Sequence, residues 1–209
     1  TYVVGNQPNG LNINLGVGST HIENLQKLVK EQHLDVGFSF DGDADRCIAV
    51  DEHGNIVDGD AMMYILAQRL KSRGVLNGNT VVATIMSNSG FVASLKRAGI
   101  DCVQTKVGDR FVYECMQNND YSIGGEQSGH IILKKYATTG DGLLTAIMLM
   151  EQIVESKQPL SVLAAPVTMY PQVSRSVRVP DKDAAVNHPA VRAAVDDVSR
   201  RLGDGGRIL

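Results

Sequence analysis

Segments typical of β-strands alternate with segments typical of α-helices through most of this 209-residue chain. β-Branched residues fill 80–85, a polar loop follows, and a helical pattern runs to 98. The same order of strand, loop and helix repeats over 101–117. This alternation predicts an α/β fold with mixed sheets flanked by helices. Ligands of such folds bind at loops leaving the carboxyl ends of strands, so functional side chains are expected there.

One of these loops, Asp41–Arg46, carries three carboxylates that alternate with small residues and are followed by an arginine. Strand-like segments flank the loop at 36–40 and 47–50. Carboxylates this crowded repel one another unless a cation neutralises them, and oxygen ligands suit Mg²⁺, Mn²⁺ or Ca²⁺ better than zinc. The planar cation of Arg46 suits a phosphate oxygen. The segment therefore predicts a divalent-metal site for phosphoryl chemistry, with Asp41, Asp43 and Asp45 as ligands.

Two simpler interpretations of this acidic segment stay open. In a calcium-binding EF-hand loop the three aspartates would take the first ligand positions and Glu52 the last. However, Arg46 stands where that loop needs glycine, and the flanking segments indicate strands instead of helices. A ligand-free acidic turn between two strands would also use Asp-Gly, although a turn requires neither three aspartates nor an arginine.

Two further loops carry groups that suit a sugar phosphate. The segment 124–130 combines a carboxylate, an amide, a hydroxyl and the imidazole of His130 among glycines, an inventory that can bind several hydroxyls of one ring. Lys106 and Arg110 flank Gly108 at a strand-to-helix junction, where backbone N–H groups can bind an anion. Either loop could instead be a polar turn, and a lone histidine is more often structural. Asp141 is best explained as a helix cap.

The net charge, the apolar segments and the cysteine spacing limit the classes of partner and the cellular location expected for the protein. The net charge is −3 and there is no basic cluster, which argues against nucleic acid. The longest apolar stretch, within 146–150, is too short to span a bilayer, and the start shows no signal-peptide pattern. The three cysteines are odd in number and lack C-x-x-C spacing, which indicates reduced thiols in a cytoplasmic protein.

Local patterns also predict individual elements. A capping box at Thr20–Glu23 should start one helix, and Asp60 should cap another that ends near Arg73. Residues 121–123 and 173–179 should be strands. Apolar residues nearly encircle the helix expected over 141–155, so it should be well buried.

Taken in order, the motifs resemble those of the α-D-phosphohexomutase superfamily over nearly the whole chain. The order is Asp41–Arg46, Lys106–Arg110, Glu126–His130 and Thr139–Gly142. Within the superfamily the chain is most similar to the bacterial phosphoglucosamine mutase branch, through Asn9–Asn14, Gly18–Thr20, Val107–Arg110 and Gly125–Gly129. Related phosphomannomutase/phosphoglucomutases more often carry methionine where this chain has Gln127.

The resemblance implies a domain plan and an incomplete protein. Residues 1–58 would be the C-terminal part of domain 2 with the metal loop, 59–165 domain 3 with the sugar loop, and 166–209 the start of domain 4. The family's phosphoserine loop in domain 1 and its terminal phosphate-binding loop do not occur in this sequence. We therefore expect the chain alone to be inactive.

The resemblance also implies a reaction and residue roles. The reaction is a Mg²⁺-dependent intramolecular phosphotransfer between glucosamine 6-phosphate and glucosamine 1-phosphate, through a phosphoserine and a bisphosphate, on the route to UDP-N-acetylglucosamine and peptidoglycan. Asp41, Asp43 and Asp45 would bind the metal. Catalytic roles would fall to Arg46, His130 and Lys106, and substrate binding to Glu126, Gln127, Ser128, Gly108, Asp109 and Arg110. The full-length protein would be a cytoplasmic homodimer. The alternatives are a phosphomannomutase/phosphoglucomutase and a non-catalytic module that binds metal and sugar phosphate.

Overall fold

The computed structural model describes residues 1–203 and 206–208. Residues 204, 205 and 209 of the predicted segment 166–209 lie outside the described residues. The chain separates into two compact units, Thr1–Met169 and Tyr170–Leu209. The helices and strands, in chain order, are α1 (Glu23–Glu31), β1 (Val36–Phe40), β2 (Cys47–Asp51), β3 (Ile56–Val57), α2 (Gly59–Ser72), a 3₁₀ turn (Asn77–Asn79), β4 (Thr80–Thr84), α3 (Ser89–Arg97), β5 (Asp101–Thr105), α4 (Asp109–Asn119), β6 (Ile123–Gly125), β7 (Ile131–Leu133), α5 (Gly142–Ser156), α6 (Leu160–Ala164), α7 (Lys182–Asn187) and α8 (Pro189–Leu202).

The first sheet presents the acidic loop at one end. Its strands are antiparallel in the order β1-β2-β3, and Phe40 pairs with Cys47 where the loop leaves the sheet. β2 is buried along its whole length. Helix α1 packs on this sheet through Ile22 and Val29, which share an apolar cluster with Val50. The loop is therefore a connection between two firmly anchored strands.

The second sheet has helices on both faces. Its order is β5-β4-β6-β7; β5, β4 and β6 are parallel, and β7 runs antiparallel to β6. Val81 and Ala83 belong to the main core, which contains residues of α2, α3 and α5, whereas Val82 packs with Val112 and Met116 of α4. The predicted α/β architecture is confirmed. Because β4, β5 and β6 are parallel, their carboxyl ends lie at the same edge of the sheet.

Several local predictions are wrong. β6 spans Ile123–Gly125 instead of the predicted 121–123. It continues to Gly125, which pairs with Ile131, because strand pairing overrides the low strand propensity of glycine. Asp58, not Asp60, caps α2 by accepting from Ala61 N, since the helix begins two residues earlier than predicted. Asp60 lies instead in the buried first turn and accepts a hydrogen bond from Asn88 N.

The predictions for α1 and α5 also need correction. α1 begins at Glu23, with Ile22 at its N-cap and no side-chain cap, so Thr20 lies too far upstream to close the predicted box. Only one side of α5 packs on the core, since Leu143, Ile147 and Val154 remain 59%, 51% and 74% exposed. A helix that is apolar all round does not reveal which of its faces will find a partner.

The unit Tyr170–Leu209 contains two helices within its described part. The predicted strand over 173–179 is absent from the described residues, because a strand needs a neighbour and that exposed segment pairs with none. The expected helix start near His188 is confirmed, since its side chain accepts from Ala190 N and Pro189 is the first residue of α8. Of the helices in the described ranges, none combines the length and apolar composition needed to cross a bilayer.

Candidate functional site

Three carboxylates meet in the loop between β1 and β2. Asp41, Asp43 and Asp45 each offer one oxygen, and these oxygens lie within 4.8 Å of one another. The loop is held by a turn in which Ala44 N donates to Asp41 O at 3.1 Å. Arg46 N donates to Asp41 Oδ1 at 3.1 Å, and its guanidinium Nε lies 3.7 Å from Asp41 Oδ2. The loop thus presents three carboxylates and a cation side by side.

The electrostatics of this cluster favour a bound cation. Burial raises the pKa of Asp45, the hydrogen bond and the negative charge of Asp41 raise it further, and His130 acts in the opposite direction. Part of the cost of ionising Asp45 is therefore repulsion from its neighbours. A set of carboxylate oxygens suits a hard divalent cation such as Mg²⁺, so the residues present fit the metal that the family resemblance implies.

The segment Glu126–His130, the sugar loop, reverses the chain between β6 and β7. Glu126 N donates to His130 O and Gly129 N donates to Glu126 O, both at 3.0 Å. The Glu126 side chain is fixed as well, because its Oε1 accepts from Gly108 N at 3.1 Å. Ser128 Oγ lies 3.4 Å from Glu126 Oε2. This brings the polar groups of the sugar loop to the start of α4.

Backbone contacts join the sugar loop to the acidic loop. Cys47 N donates to Gly129 O at 3.1 Å, and Arg46 and His130 form an isolated antiparallel bridge. Gly129 has φ +95°, and a Cβ there would collide with the Cys47 carbonyl group, so only glycine allows this approach. Gly142 N, at the start of α5, donates to the Ala44 carbonyl at 2.8 Å. The two loops are therefore fixed to one another.

His130 lies where these loops meet. Its side chain is 4% exposed, and its Nε2 accepts a hydrogen bond from Gly140 N at 3.1 Å. This bond requires the ring proton to be on Nδ1, which has no hydrogen-bond partner among the described residues. The same Nε2 lies 3.6 Å from Asp45 Oδ2 and 4.0 Å from Asp109 Oδ2. His130 thus contacts a candidate metal ligand while holding the loop that precedes α5.

Other candidates lie further from this centre or are already bonded elsewhere. Lys106 and Arg110 are exposed, and Arg110 Nε pairs with Glu114 Oε1 at 2.7 Å along α4. The Gln127 side chain donates through Nε2 to Asp58 Oδ2 at 3.0 Å. In this structure, therefore, neither Arg110 nor Gln127 is joined to the carboxylate cluster by a direct contact.

Sequence reasoning missed two contributors to the site. Asp58 holds the sugar loop through Gln127, and the signal for it was an Asp-Gly pair just before a helical pattern. Gly140 binds His130 through its backbone, an interaction without a side-chain signature. The prediction that Asp141 caps a helix is confirmed, since its Oδ1 accepts from Leu144 N at 2.9 Å.

Two family models match the chain. Residues 58–170 match "Phosphoglucomutase/phosphomannomutase, alpha/beta/alpha domain III", and residues 3–54 match domain II of the same family. The first match alone covers more than half of the chain.

Similar proteins include bacterial mutases and solved mutase structures. The phosphoglucosamine mutase of Lachnospira eligens is 55% identical over 209 residues, which is 100% of this chain and 46% of that protein. The chain thus spans about half the length of the curated relatives it matches. A crystal structure of an N-acetylglucosamine-phosphate mutase of the α-D-phosphohexomutase superfamily, in a product complex, covers 90% of this chain and 46% of its own, with 18% identity and a TM-score of 0.68. The Aspergillus fumigatus N-acetylphosphoglucosamine mutase, solved with GlcNAc-6P and magnesium, covers 90% of this chain and 49% of its own, with 18% identity and a TM-score of 0.65.

Proposed function

The chain belongs to the phosphoglucomutase/phosphomannomutase family, and from that premise we propose that it carries the metal-binding and sugar-binding loops of a phosphoglucosamine mutase. The proposed reaction interconverts glucosamine 6-phosphate and glucosamine 1-phosphate through a phosphoserine and a bisphosphate. The high identity to a phosphoglucosamine mutase over the whole chain supports this choice within the family. In the proposed domain plan, residues 1–58 belong to domain 2, 59–165 to domain 3 and 166–209 to domain 4.

We assign the acidic loop to the metal. Asp41, Asp43 and Asp45 would hold Mg²⁺ through one oxygen each, supported by the proximity of those oxygens. When bound, the ion supplies charge neutralisation to a phosphoryl group. We assign Arg46 to a phosphoryl oxygen; its guanidinium Nε lies 3.7 Å from Asp41 Oδ2, next to this cluster, which supports the assignment.

We assign the sugar loop to the hydroxyls of the substrate ring. Glu126 is an acceptor with one oxygen on Gly108 N, and Ser128 adds a hydroxyl beside it. Because both groups are held before substrate arrives, binding needs little further ordering of this loop. Asp109, Gly108, Lys106 and Arg110 lie at the neighbouring strand-to-helix junction, where cations and backbone N–H groups can bind the distal phosphate.

His130 is proposed to act in the reaction at its Nε2 atom. That atom lies 3.6 Å from Asp45 Oδ2 and accepts a hydrogen bond from Gly140 N. A shift of the loop before α5 would release Nε2 for a substrate proton. Lys106, which is exposed, is the second candidate for proton transfer or phosphate contact.

One observation carries the proposal: the carboxylate cluster and the sugar loop are bonded to each other through Arg46, His130 and Cys47. The sugar ring and the metal-bound phosphoryl group would therefore occupy one site. We further propose a homodimer for the complete gene product, as the family resemblance implies. We also propose a cytoplasmic location, supported by an odd number of cysteines without C-x-x-C spacing.

Calorimetric titration of glucosamine 6-phosphate into the chain with excess Mg²⁺ tests the proposal. We expect saturable binding that weakens at least about tenfold in Glu126→Gln, which removes a charge that accepts hydroxyl donors. Glu31→Gln, on the exposed side of α1, is the matched control and should bind as the parent chain does.

Two outcomes would count against this assignment. Equal binding by Glu126→Gln would remove the sugar loop from the site. Tighter binding of glucose or mannose 6-phosphate than of the amino sugar would favour a phosphomannomutase/phosphoglucomutase. Phosphopeptide mapping of the complete gene product then decides between an enzyme with a phosphoserine and a module that only binds.

A further inference from the structure

We propose that Gln127 is a positioning residue whose side chain fastens the sugar loop to the start of α2 through Asp58, and thereby sets where Glu126 and Ser128 stand. The role of the loop in binding a sugar rests on the proposed function. The fastening itself does not, because it is a contact within the chain. Gln127 would act on substrate affinity through its neighbours, without needing a contact to the sugar.

The contacts between the loop and the helix form a compact set. Gln127 Nε2 donates to Asp58 Oδ2 at 3.0 Å, and Gly59 N donates to the Gln127 carbonyl at 3.0 Å. The other carboxylate oxygen of Asp58 accepts from Ala61 N at 3.1 Å and caps the helix. The two oxygens of Asp58 therefore act separately, since one starts α2 and the other holds the loop.

The approach of the two segments is too close for this contact to be incidental. A Cβ at Gly59 would collide with the Glu126 carbonyl oxygen and would lie 2.8 Å from Gly129 N. The backbone of the loop thus rests directly on the first residue of α2. Asp58 is half-buried, and this burial raises its pKa. A partly buried carboxylate gains more from a side-chain donor than an exposed one does.

The loop is consequently held on two sides by different elements. Gln127 is bonded to Asp58 before α2, whereas Glu126 is bonded to Gly108 N before α4. Losing the Gln127 side-chain bond removes one of these attachments and leaves the backbone bonds of the loop in place. The loop then gains freedom that substrate binding must remove. The side-chain amide of Gln127 already donates to Asp58 in this structure. A positioning role through this bond is therefore distinct from a direct contact of the same amide with the sugar.

Reversal of the bond polarity gives a sharp test. Gln127→Met removes the donor at similar length, and Gln127→Glu places a second carboxylate against Asp58. Combining Asp58→Asn with Gln127→Glu restores a hydrogen bond in the opposite sense, because the asparagine NH₂ donates to the glutamate. Asn is also a good helix N-cap, so α2 keeps its start. The matched control is Gln26→Met, which removes another glutamine side-chain bond, from Nε2 to Gly54 O at 2.7 Å.

Hydrogen exchange of the amides in 126–129 and the affinities for glucosamine 6-phosphate and Mg²⁺ are the readouts. We expect faster exchange and about tenfold weaker sugar-phosphate binding in Gln127→Met, a larger loss in Gln127→Glu, and recovery in the double variant, with Mg²⁺ affinity unchanged throughout. The control should exchange and bind as the parent chain does.

The outcomes separate the two ideas. If exchange in 126–129 is unchanged by Gln127→Met, or the double variant is no better than Gln127→Glu, the fastening role is wrong. If the exchange results follow the expectation but no form of the chain binds any hexose phosphate, the fastening stands and the proposed function fails.

Discussion

We predict that removing one carboxylate from the acidic loop stabilises the metal-free protein and destabilises the metal-bound protein, each relative to the parent chain. Asp43 is the most exposed of the three aspartates and has no hydrogen bond to lose among those described for the loop, so Asp43→Asn chiefly removes a charge. Its carboxylate lies within 4.8 Å of an oxygen of each neighbour. Without a cation the variant should therefore be more stable than the parent chain, whereas with excess Mg²⁺ the order should reverse.

The magnitude follows from the distances. Two unit charges 4.8 Å apart repel by about 0.9 kcal/mol in water. Removing Asp43 from two such pairs relieves about 1.7 kcal/mol at low ionic strength, which corresponds to a rise in Tm of about 3–7 °C for a chain of this size. Mg²⁺ at one hundred times its Kd should stabilise the parent chain by about 2.7 kcal/mol, and the variant far less, because it has lost one of three ligands.

Thermal unfolding of both proteins in low salt, with chelator and then with Mg²⁺, checks this prediction. Glu31→Gln is the control for the loss of one negative charge away from the loop, and it should show no inversion. A metal-free Asp43→Asn that is less stable than the parent chain would refute the repulsion argument. Equal stabilisation of both proteins by Mg²⁺ would refute the assignment of Asp43 as a ligand.

Three further predictions concern the contacts around the site. Gly129→Ala must bear a positive φ and a collision with the Cys47 carbonyl, so it should lose at least about 2 kcal/mol in denaturant unfolding and weaken sugar-phosphate binding. Burial alone would raise the pKa of Glu52, but hydrogen bonds from the Ser161 side chain and backbone hold this pKa below its usual value. The ionised Glu52 side chain should therefore stabilise the fold fully at neutral pH, and this contribution should disappear as the pH falls through the lowered pKa. The free energies of unfolding of Glu52→Gln and the parent chain, measured in urea, should converge in acid. Burial raises the pKa of the Cys47 thiol to about 12, so a thiol reagent should modify the two partly exposed cysteines of the native chain first and Cys47 only after unfolding.

What could be predicted from the sequence was mostly what depends on neighbours along the chain. Asp41, Asp43 and Asp45 lie in one short loop, so their alternation alone implied that their oxygens would be close. The strands over 36–40 and 101–105 matched their patterns because period and β-branching act locally. Asp58 was missed in favour of Asp60 because a shift of two residues in the helix start changes which aspartate is the cap.

Contacts between distant segments were beyond local patterns. The bond from Gly108 N to Glu126 depends on β4 lying between β5 and β6, and the sequence does not state that order. Apolar residues around α5 predicted a well-buried helix, yet Leu143 and Ile147 are exposed because only one side meets the core. The strand expected over 173–179 had the right alternation but no partner among the described residues.

Backbone hydrogen bonds hold the loops of the candidate site together. For this reason the side chains in the sequence predicted the individual loops but not the contacts between them. Cys47 N, Gly59 N and Gly140 N bond the sugar loop, Gly142 N bonds the acidic loop, and none of these bonds involves a side-chain donor. Such bonds depend on how closely two segments approach. A glycine in these loops therefore indicates a position where a Cβ atom would collide with the neighbouring segment. An Asp-Gly pair at 58–59 therefore carries two signals at once, a cap for α2 and a surface on which the sugar loop can rest. Sequence patterns give the chemistry of the loops, while the fold decides which of them share one site.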